Sequence, residues 1–244
     1  MVGGLFGMID RRLRKMQTLL EKIFYSFLKA KSGKESEKIS LSTPTDIKSV
    51  ANFLSVGEVE ITIDEPFPLL IFETQILGLW AVCLSNQLQW LEVGQLPSVL
   101  LKTQRSLPPI PKFSLKELAP FSGGLMNSPY LLVEINRLAT DYEIEKKPQV
   151  IQLSLLPLSL KDKEFLESTL GLGKTLIRIK GYGDCLIKNS QYKNIWWIEH
   201  FNSAGKSLLQ AIEIDEVPAI VKAAREDLDG SILRIQKLQQ ELSI

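Results

Sequence analysis

Histidine is nearly missing from this sequence. His200 is the only one in 244 residues, and there are two cysteines, Cys83 and Cys185. Neither cysteine has a histidine close to it in sequence, so no tetrahedral zinc set can be assembled from local spacing. Two isolated thiols are expected to be reduced and buried. No run of about 18 apolar residues occurs, which excludes a spanning helix. A net charge of +1 removes any general attraction to nucleic acid. A phosphate-binding loop is also missing. Gly171-Leu172-Gly173-Lys174-Thr175 ends like one, but the spacing between its glycines is too short. That stretch reads as a helix C-cap followed by a strand. The apolar run Met1 to Ile9 precedes the basic residues, the reverse of an export signal, so a cytoplasmic protein is expected.

Charge is unevenly spread. Residues 1–38 hold nine Lys/Arg against four Asp/Glu, a net of +5, which leaves −4 for the rest. From Arg11 to Lys31 there is no Pro or Gly. Leu13, Met16, Leu20, Ile23 and Phe27 recur at steps of three and four, which predicts an amphipathic helix over 11–31. Such a helix packs on its own protein or a second copy, docks a partner, or makes a weak membrane-surface contact. Residues 31–45 are polar and lack aromatics, the composition of a flexible linker.

Beyond the linker the chain reads as one α+β module written twice. In the first copy a short helix over 46–54, with Thr45 as N-cap, precedes Gly57 to Ile63, where apolar and polar residues alternate as in a half-buried strand. Asp64-Glu65-Pro66 is a turn, and strands follow at 69–74, 77–84 and 88–93, the last after a turn at Ser85-Asn86-Gln87. Pro97 opens a helix. A shift of 116 residues lays Asp46 on Asp162, Leu54 on Leu170, Gly57 on Gly173, Ile61 on Ile177, Thr74 on Ser190 and Trp80 on Trp196. After a five-residue insertion in the turn 201–206 the shift becomes 121, laying Glu92 on Glu213 and Pro97 on Pro218. The expected architecture is an internally duplicated α+β fold: two four-stranded antiparallel meanders with flanking helices, related by a pseudo-twofold, plus the N-terminal helix. The expected segments are 1–45 (helix and linker), 46–105 (first copy), 106–150 (connector) and 151–244 (second copy with a C-terminal helix). Within the connector, 106–120 reads as a surface strap, and Ser128-Pro129 as N-cap and first residue of a helix to Leu138.

No catalytic constellation emerges, so the chain is not expected to be an enzyme and no cofactor or metal site is assigned. Glu58, Glu73, Glu92 and Glu213 sit beside apolar strand residues and read as solvated positions. Gly181-Tyr182-Gly183-Asp184-Cys185 forms a turn where the first copy has Glu65-Pro66-Phe67-Pro68-Leu69, and two glycines around an aromatic can present that ring to a partner. Trp196 and Trp197 must lie on opposite sheet faces, one in a core and one free to anchor a partner. Gly181, Tyr182, Gly183, Trp197 and Glu213 are therefore the candidate partner-binding residues.

The ordered series Gly57-Glu58-Val59, Ile71 to Thr74, Gly78-Leu79-Trp80, Gly124-Leu125-Met126-Asn127, Gly181-Tyr182-Gly183, Asn194 with Trp196, Glu213 with Pro218, and Ala223-Ala224, Glu226-Asp227 and Ser231 resembles the HupH/HyaF hydrogenase expression proteins. The resemblance runs from about residue 46 to 240. It departs at Arg225, where that pattern has Pro, and at Gly230, where it has Asp. It implies a non-catalytic chaperone in [NiFe]-hydrogenase maturation. Its implied partners are the precursor of the iron–sulfur small subunit and a thioredoxin-like accessory protein. The competing readings are a metal or iron–sulfur carrier using Cys83 and Cys185, and a structural subunit of a maturation complex.

Overall fold

The computed structural model describes residues 2–31, 36–46, 54–65, 67–85, 87–118, 123–181 and 183–241, without the side chains of 2–13, 31, 42–46 and Glu65. In chain order the described elements are helix α1 (Val2–Lys31), strands β1 (Ser36–Asp46), β2 (Val56–Glu65), β3 (Phe67–Thr74), β4 (Leu79–Leu84) and β5 (Gln87–Gly94), then helices α2 (Ser98–Arg105), α3 (Leu115–Leu118) and α4 (Ser128–Glu145). Strand β6 (Gln149–Gln152) and helix α5 (Leu160–Leu170) follow, then strands β7 (Thr175–Ile179), β8 (Cys185–Asn189), β9 (Ile195–Phe201) and β10 (Ser207–Ile214), and helix α6 (Arg225–Glu241). Every described strand pairing is antiparallel, so the fold is α+β as expected.

The residues fall into two compact units. Unit 1 takes Met1–Glu58, Leu69–Ser98 and Lys222–Ile244; unit 2 takes Val59–Pro68 and Val99–Val221. In unit 1 the strand order is β1-β5-β4-β3. One sheet face carries Ile39, Phe72, Leu79, Ala81, Cys83, Leu91 and Val93, and it is closed by Leu20, Ile23 and Phe27 of α1 with Leu228 and Ile235 of α6. Leu20, Ile23, Phe27 and Ile235 have no exposed surface. Burial of such a side chain stabilises by about 1.5–3 kcal/mol, so four of them contribute heavily to a unit of this size. Serine and arginine complete the docking of α6. Ser231 Oγ donates to the Leu77 carbonyl (2.9 Å) and Arg234 to the Gln75 carbonyl (2.8 Å).

In unit 2 the order is β2-β7-β8-β9-β10-β6. The expected meander of the second copy is β7 to β10. Its core joins Leu132 and Ile135 of α4, Leu166 and Leu170 of α5, Ile195 of β9, and Ile212 and Ile214 of β10. On the opposite face, Ile61, Ile177 and Ile187 form a fully buried row of directly paired positions.

Several sequence-based expectations need correction. The N-terminal helix begins at Val2 rather than Arg11. Val2, Leu5, Phe6 and Ile9 continue its apolar stripe, and three glycines cost only about 1 kcal/mol each. From Ser36 onward the expected linker is instead strand β1, paired with β5 from Ser36↔Gly94 to Asp46↔Gln87, and residues 32–35 lie outside the described residues. Pairing and local burial override its polar composition: Ile39 is buried, Lys38 Nζ sits 3.6 Å from the centre of the Trp90 ring, and Pro44 falls where the register is irregular at a sheet edge. Thr45 is thus a strand residue and not an N-cap, and Asp46 is not the counterpart of the helical Asp162. The helix expected over 46–54 otherwise lies largely outside the described residues, as do Pro66, Asn86 and Tyr182. Strand β2 runs on through Asp64 and Glu65, where a turn was expected. Strands β1 and β6, neither anticipated, extend the meanders beyond β5 and β10. Helix α4 reaches Glu145, and its N-cap is Asn127, which makes Ser128 the first helical residue.

Two of the supposedly solvated glutamates are buried. Glu73 Oε1 accepts the Gly78 N–H (2.8 Å), and Glu92 Oε1 accepts the N–H of Ser98, the first residue of α2 (2.9 Å). Each carboxylate satisfies a backbone donor that would otherwise be buried without a partner.

Several contacts recur at the sequence spacings described above. The Trp80 indole N–H donates to the Gly94 carbonyl (2.9 Å), and that of Trp196 to the Asp215 carbonyl (3.0 Å). Thr74 Oγ1 exchanges hydrogen bonds with the backbone of Ile76, as Ser190 Oγ does with Tyr192. Positive φ occurs at Ser55 and Gly78, and again at Gly171 and Asn194.

Candidate partner-binding site

The site starts from one buried carboxylate. Ser159 is the N-cap of α5 and forms a capping box with Asp162. Asp162 Oδ2 accepts from the Ser159 hydroxyl (2.6 Å) and N–H (3.0 Å). Its Oδ1 accepts from the N–H groups of Met126, Asn127 and Ser128 and from the Ser128 hydroxyl. One side chain therefore caps α5 and also ties down the start of α4, where Asn127 makes no side-chain cap of its own. Burial alone would push this carboxyl up, but the hydrogen bonds from Ser159 and Ser128 outweigh it and hold it well below the usual carboxylate range.

Helix α5 so placed forms one wall of a groove of about 310 Å³ whose other wall is the β8–β9–β10 face. Leu166, Leu172, Leu186 and Trp197 supply apolar surface. Helix α5 ends at Gly171, whose φ of 61° suits a residue without Cβ. The Gly171 carbonyl then accepts the indole N–H of Trp197 at 3.2 Å, which fixes the ring. On the rim, Lys163 Nζ reaches Gln210 Oε1 (3.4 Å), and Gln210 Nε2 donates to Glu199 Oε1 (3.0 Å). Lys188 stands directly opposite Trp197 in the β8–β9 pairing and is half-buried. An apolar floor with a few polar groups is the usual make-up of a site for a partner's side chains or a small ligand.

Of the residues singled out in the sequence, Trp197 lines this groove. Trp196 is fully buried on the opposite face. Glu213 also faces away from the groove, because its neighbours Ile212 and Ile214 point into the α4/α5 core. Gly181 and Gly183 lie in the turn between β7 and β8. A Cβ on Gly183 would come within 2.8 Å of the Phe201 carbonyl oxygen, so the glycine serves close backbone approach. The structure does not bring Gly181, Gly183, Trp197 and Glu213 into one cluster, and Tyr182 lies outside the described residues. Lys163, Leu166, Leu172, Leu186, Lys188 and Gln210 were not singled out, since nothing in their spacing marks a helix wall facing a distant sheet.

The two cysteines are both buried. Burial pushes the Cys83 thiol up to about 12; burial, then the nearby Glu213 carboxylate, push Cys185 up to about 11. Cys185 Sγ lies 3.9 Å from His200 Nε2. Among the described residues no group of three or more His, Cys, Asp or Glu is placed to hold a metal ion.

The fold is an α+β scaffold with a groove in unit 2, and comparison with known proteins supplies the family. Residues 125–242, which contain the whole groove, match the HupH hydrogenase expression protein, C-terminal conserved region. The hydrogenase expression/formation protein HupQ of Azotobacter chroococcum mcd 1 is 31% identical over 233 residues, covering 92% of this chain and 81% of the relative. The hydrogenase expression/formation protein HupH of Rhodobacter capsulatus is 31% identical, covering 79% and 68%. The hydrogenase-1 operon protein HyaF of Escherichia coli K12 is 31% identical, covering 80% and 68%. A solved structure, the hydrogenase expression protein HupH from Thiobacillus denitrificans, is similar over 48% of this chain and 97% of its own, at 29% identity and a TM-score of 0.44. The chain belongs to the HupH/HyaF family of hydrogenase expression/formation proteins.

Proposed function

We propose that this protein is a cytoplasmic accessory chaperone of [NiFe]-hydrogenase maturation that binds an immature subunit, the iron–sulfur small subunit, before assembly or export. A thioredoxin-like accessory protein acts with it. The observation that carries this reading is the unit 2 groove, which lies inside the matched family region and sets the fixed Trp197 ring beside Lys188. Aromatic anchors in a partly enclosed cleft are the usual centres of binding energy. A carrier role for Cys83 and Cys185 has weaker support, because the thiolate is the metal-binding form and burial disfavours it in both. The test is capture of the small-subunit precursor by the tagged full-length protein. Wild type is expected to retain it, and Trp197→Ala to lose at least tenfold in affinity. Failure of wild type to retain any hydrogenase subunit overturns the reading.

The duplication is proposed on similar terms. It is supported by the recurring Trp80 and Trp196 bonds, and by the β2–β7 register. That register pairs Val59 with Ile179 and Ile63 with Thr175 around Ile61↔Ile177, so each pair maps onto another under the 116-residue shift. A shift of 112 also lays the buried Leu20 and Ile23 of α1 on the buried Leu132 and Ile135 of α4. On this reading the repeat includes α1 and β1, and the module is larger than the sequence pattern alone had suggested.

A further inference from the structure

Helix α1 is longer than anything it packs against. It has 30 residues, about 45 Å at 1.5 Å per residue, whereas α6, its helical neighbour in unit 1, has 17. The unit 1 core takes Leu19, Leu20, Ile23, Phe24, Phe27 and Ala30 from α1. Met16 lies one turn earlier on the same face. It is only half-buried and outside that cluster. Helical geometry places Val2, Leu5, Phe6, Ile9, Leu13 and Met16 in a sector of about 100°, in line with Leu20 and Phe27. Arg11, Arg14 and Lys15 fall on the opposite half, with Arg12 at the border and Asp10 the one acid in the stretch.

We propose that residues 2–16 of α1 form an interfacial segment that lies on an anionic phospholipid surface, with residues 19–30 anchoring it to unit 1. The stretch has the two features such a segment needs: a continuous apolar face, and a cationic excess matching anionic headgroups. Among the described residues no helix is long and apolar enough to cross a membrane, so the segment lies along the surface. This inference does not depend on the identity of the hydrogenase subunit bound.

The test is sedimentation of the full-length protein with vesicles of phosphatidylcholine alone and with a third phosphatidylglycerol. Binding is expected only with the anionic lipid, and it should weaken at high salt. The triple variant Arg11→Gln, Arg12→Gln, Lys15→Gln should bind on the order of a hundredfold less, at roughly fivefold per charge. Leu5→Asp with Ile9→Asp should abolish binding, while the circular dichroism melting curve keeps its wild-type midpoint. Absence of wild-type binding to anionic vesicles overturns the proposal, as does equal binding by the triple variant. A wild-type dimer that Leu5→Asp/Ile9→Asp turns into a monomer, with no lipid binding by either, assigns the face to a second copy and also overturns it.

Discussion

Leu228 of α6 fills the space that a Cβ on Gly78 would need. Gly78 also has a φ of 77°, in the left-handed region, and its N–H is held by Glu73. Sequence and packing therefore demand glycine here for two separate reasons. Gly78→Ala should destabilise the protein by more than the 1–2 kcal/mol of backbone strain alone, because α6 must also shift. Urea unfolding followed by tryptophan fluorescence measures this, and a loss under 1 kcal/mol would show that α6 repacks freely.

Asp162 should make the protein acid-sensitive. Its folded-state pKa is depressed, so its contribution is complete above the unfolded value of about 3.9 and fades as pH falls below it. Asp162→Ala leaves the N–H groups of Met126, Asn127 and Ser128 without an acceptor and is expected to cost on the order of 3 kcal/mol at pH 7. The deficit relative to wild type should narrow below about pH 4. Denaturant midpoints across pH 3–7 give the comparison.

Glu73 has the opposite sign. Burial raises its pKa, the Gly78 N–H lowers it, and Asp227 and Glu58 raise it further, with a net upward shift. Its favourable state is then the protonated one, fully present below the unfolded value of about 4.3 and lost as pH rises through the folded value. Glu73→Gln keeps an oxygen for the Gly78 N–H and removes the buried charge. The variant should be at least as stable as wild type at pH 7, and its advantage should shrink in acid. A fall in stability at pH 7 would show that the carboxylate is needed ionised.

Gly230 stands mid-helix in α6, and a Cβ there meets nothing within 4 Å. Gly230→Ala should stabilise the protein by about 0.5–1 kcal/mol through helix propensity alone. Differential scanning calorimetry would register a higher Tm.

The meander strands were legible because alternation in stretches such as Gly57 to Ile63 reports one buried face. The linker that proved to be β1 was not. Ser36 to Asp46 has little apolar content, and its strand state comes from β5, some fifty residues away. Burial of Glu73 and Glu92 was hidden for a related reason: each answers a backbone N–H that only the folded turn presents. In the groove, Trp197 stood out by residue type. Lys188 and Gln210 look like any solvated strand position until α5 is laid across them.

The order of synthesis bears on unit 1 in particular. Gly94, the last residue of β5, is made 131 residues before Arg225 opens α6. At 5–20 residues per second, the sheet of unit 1 waits roughly 7–26 seconds for the helix that covers Leu79 and Val93. During that interval only α1 is at hand to cover this face, and the part that Leu228 and Ile235 close is left open. The core of unit 1 is therefore completed only once α6 has been made, and a stall or a premature stop before α6 is expected to yield a sticky product.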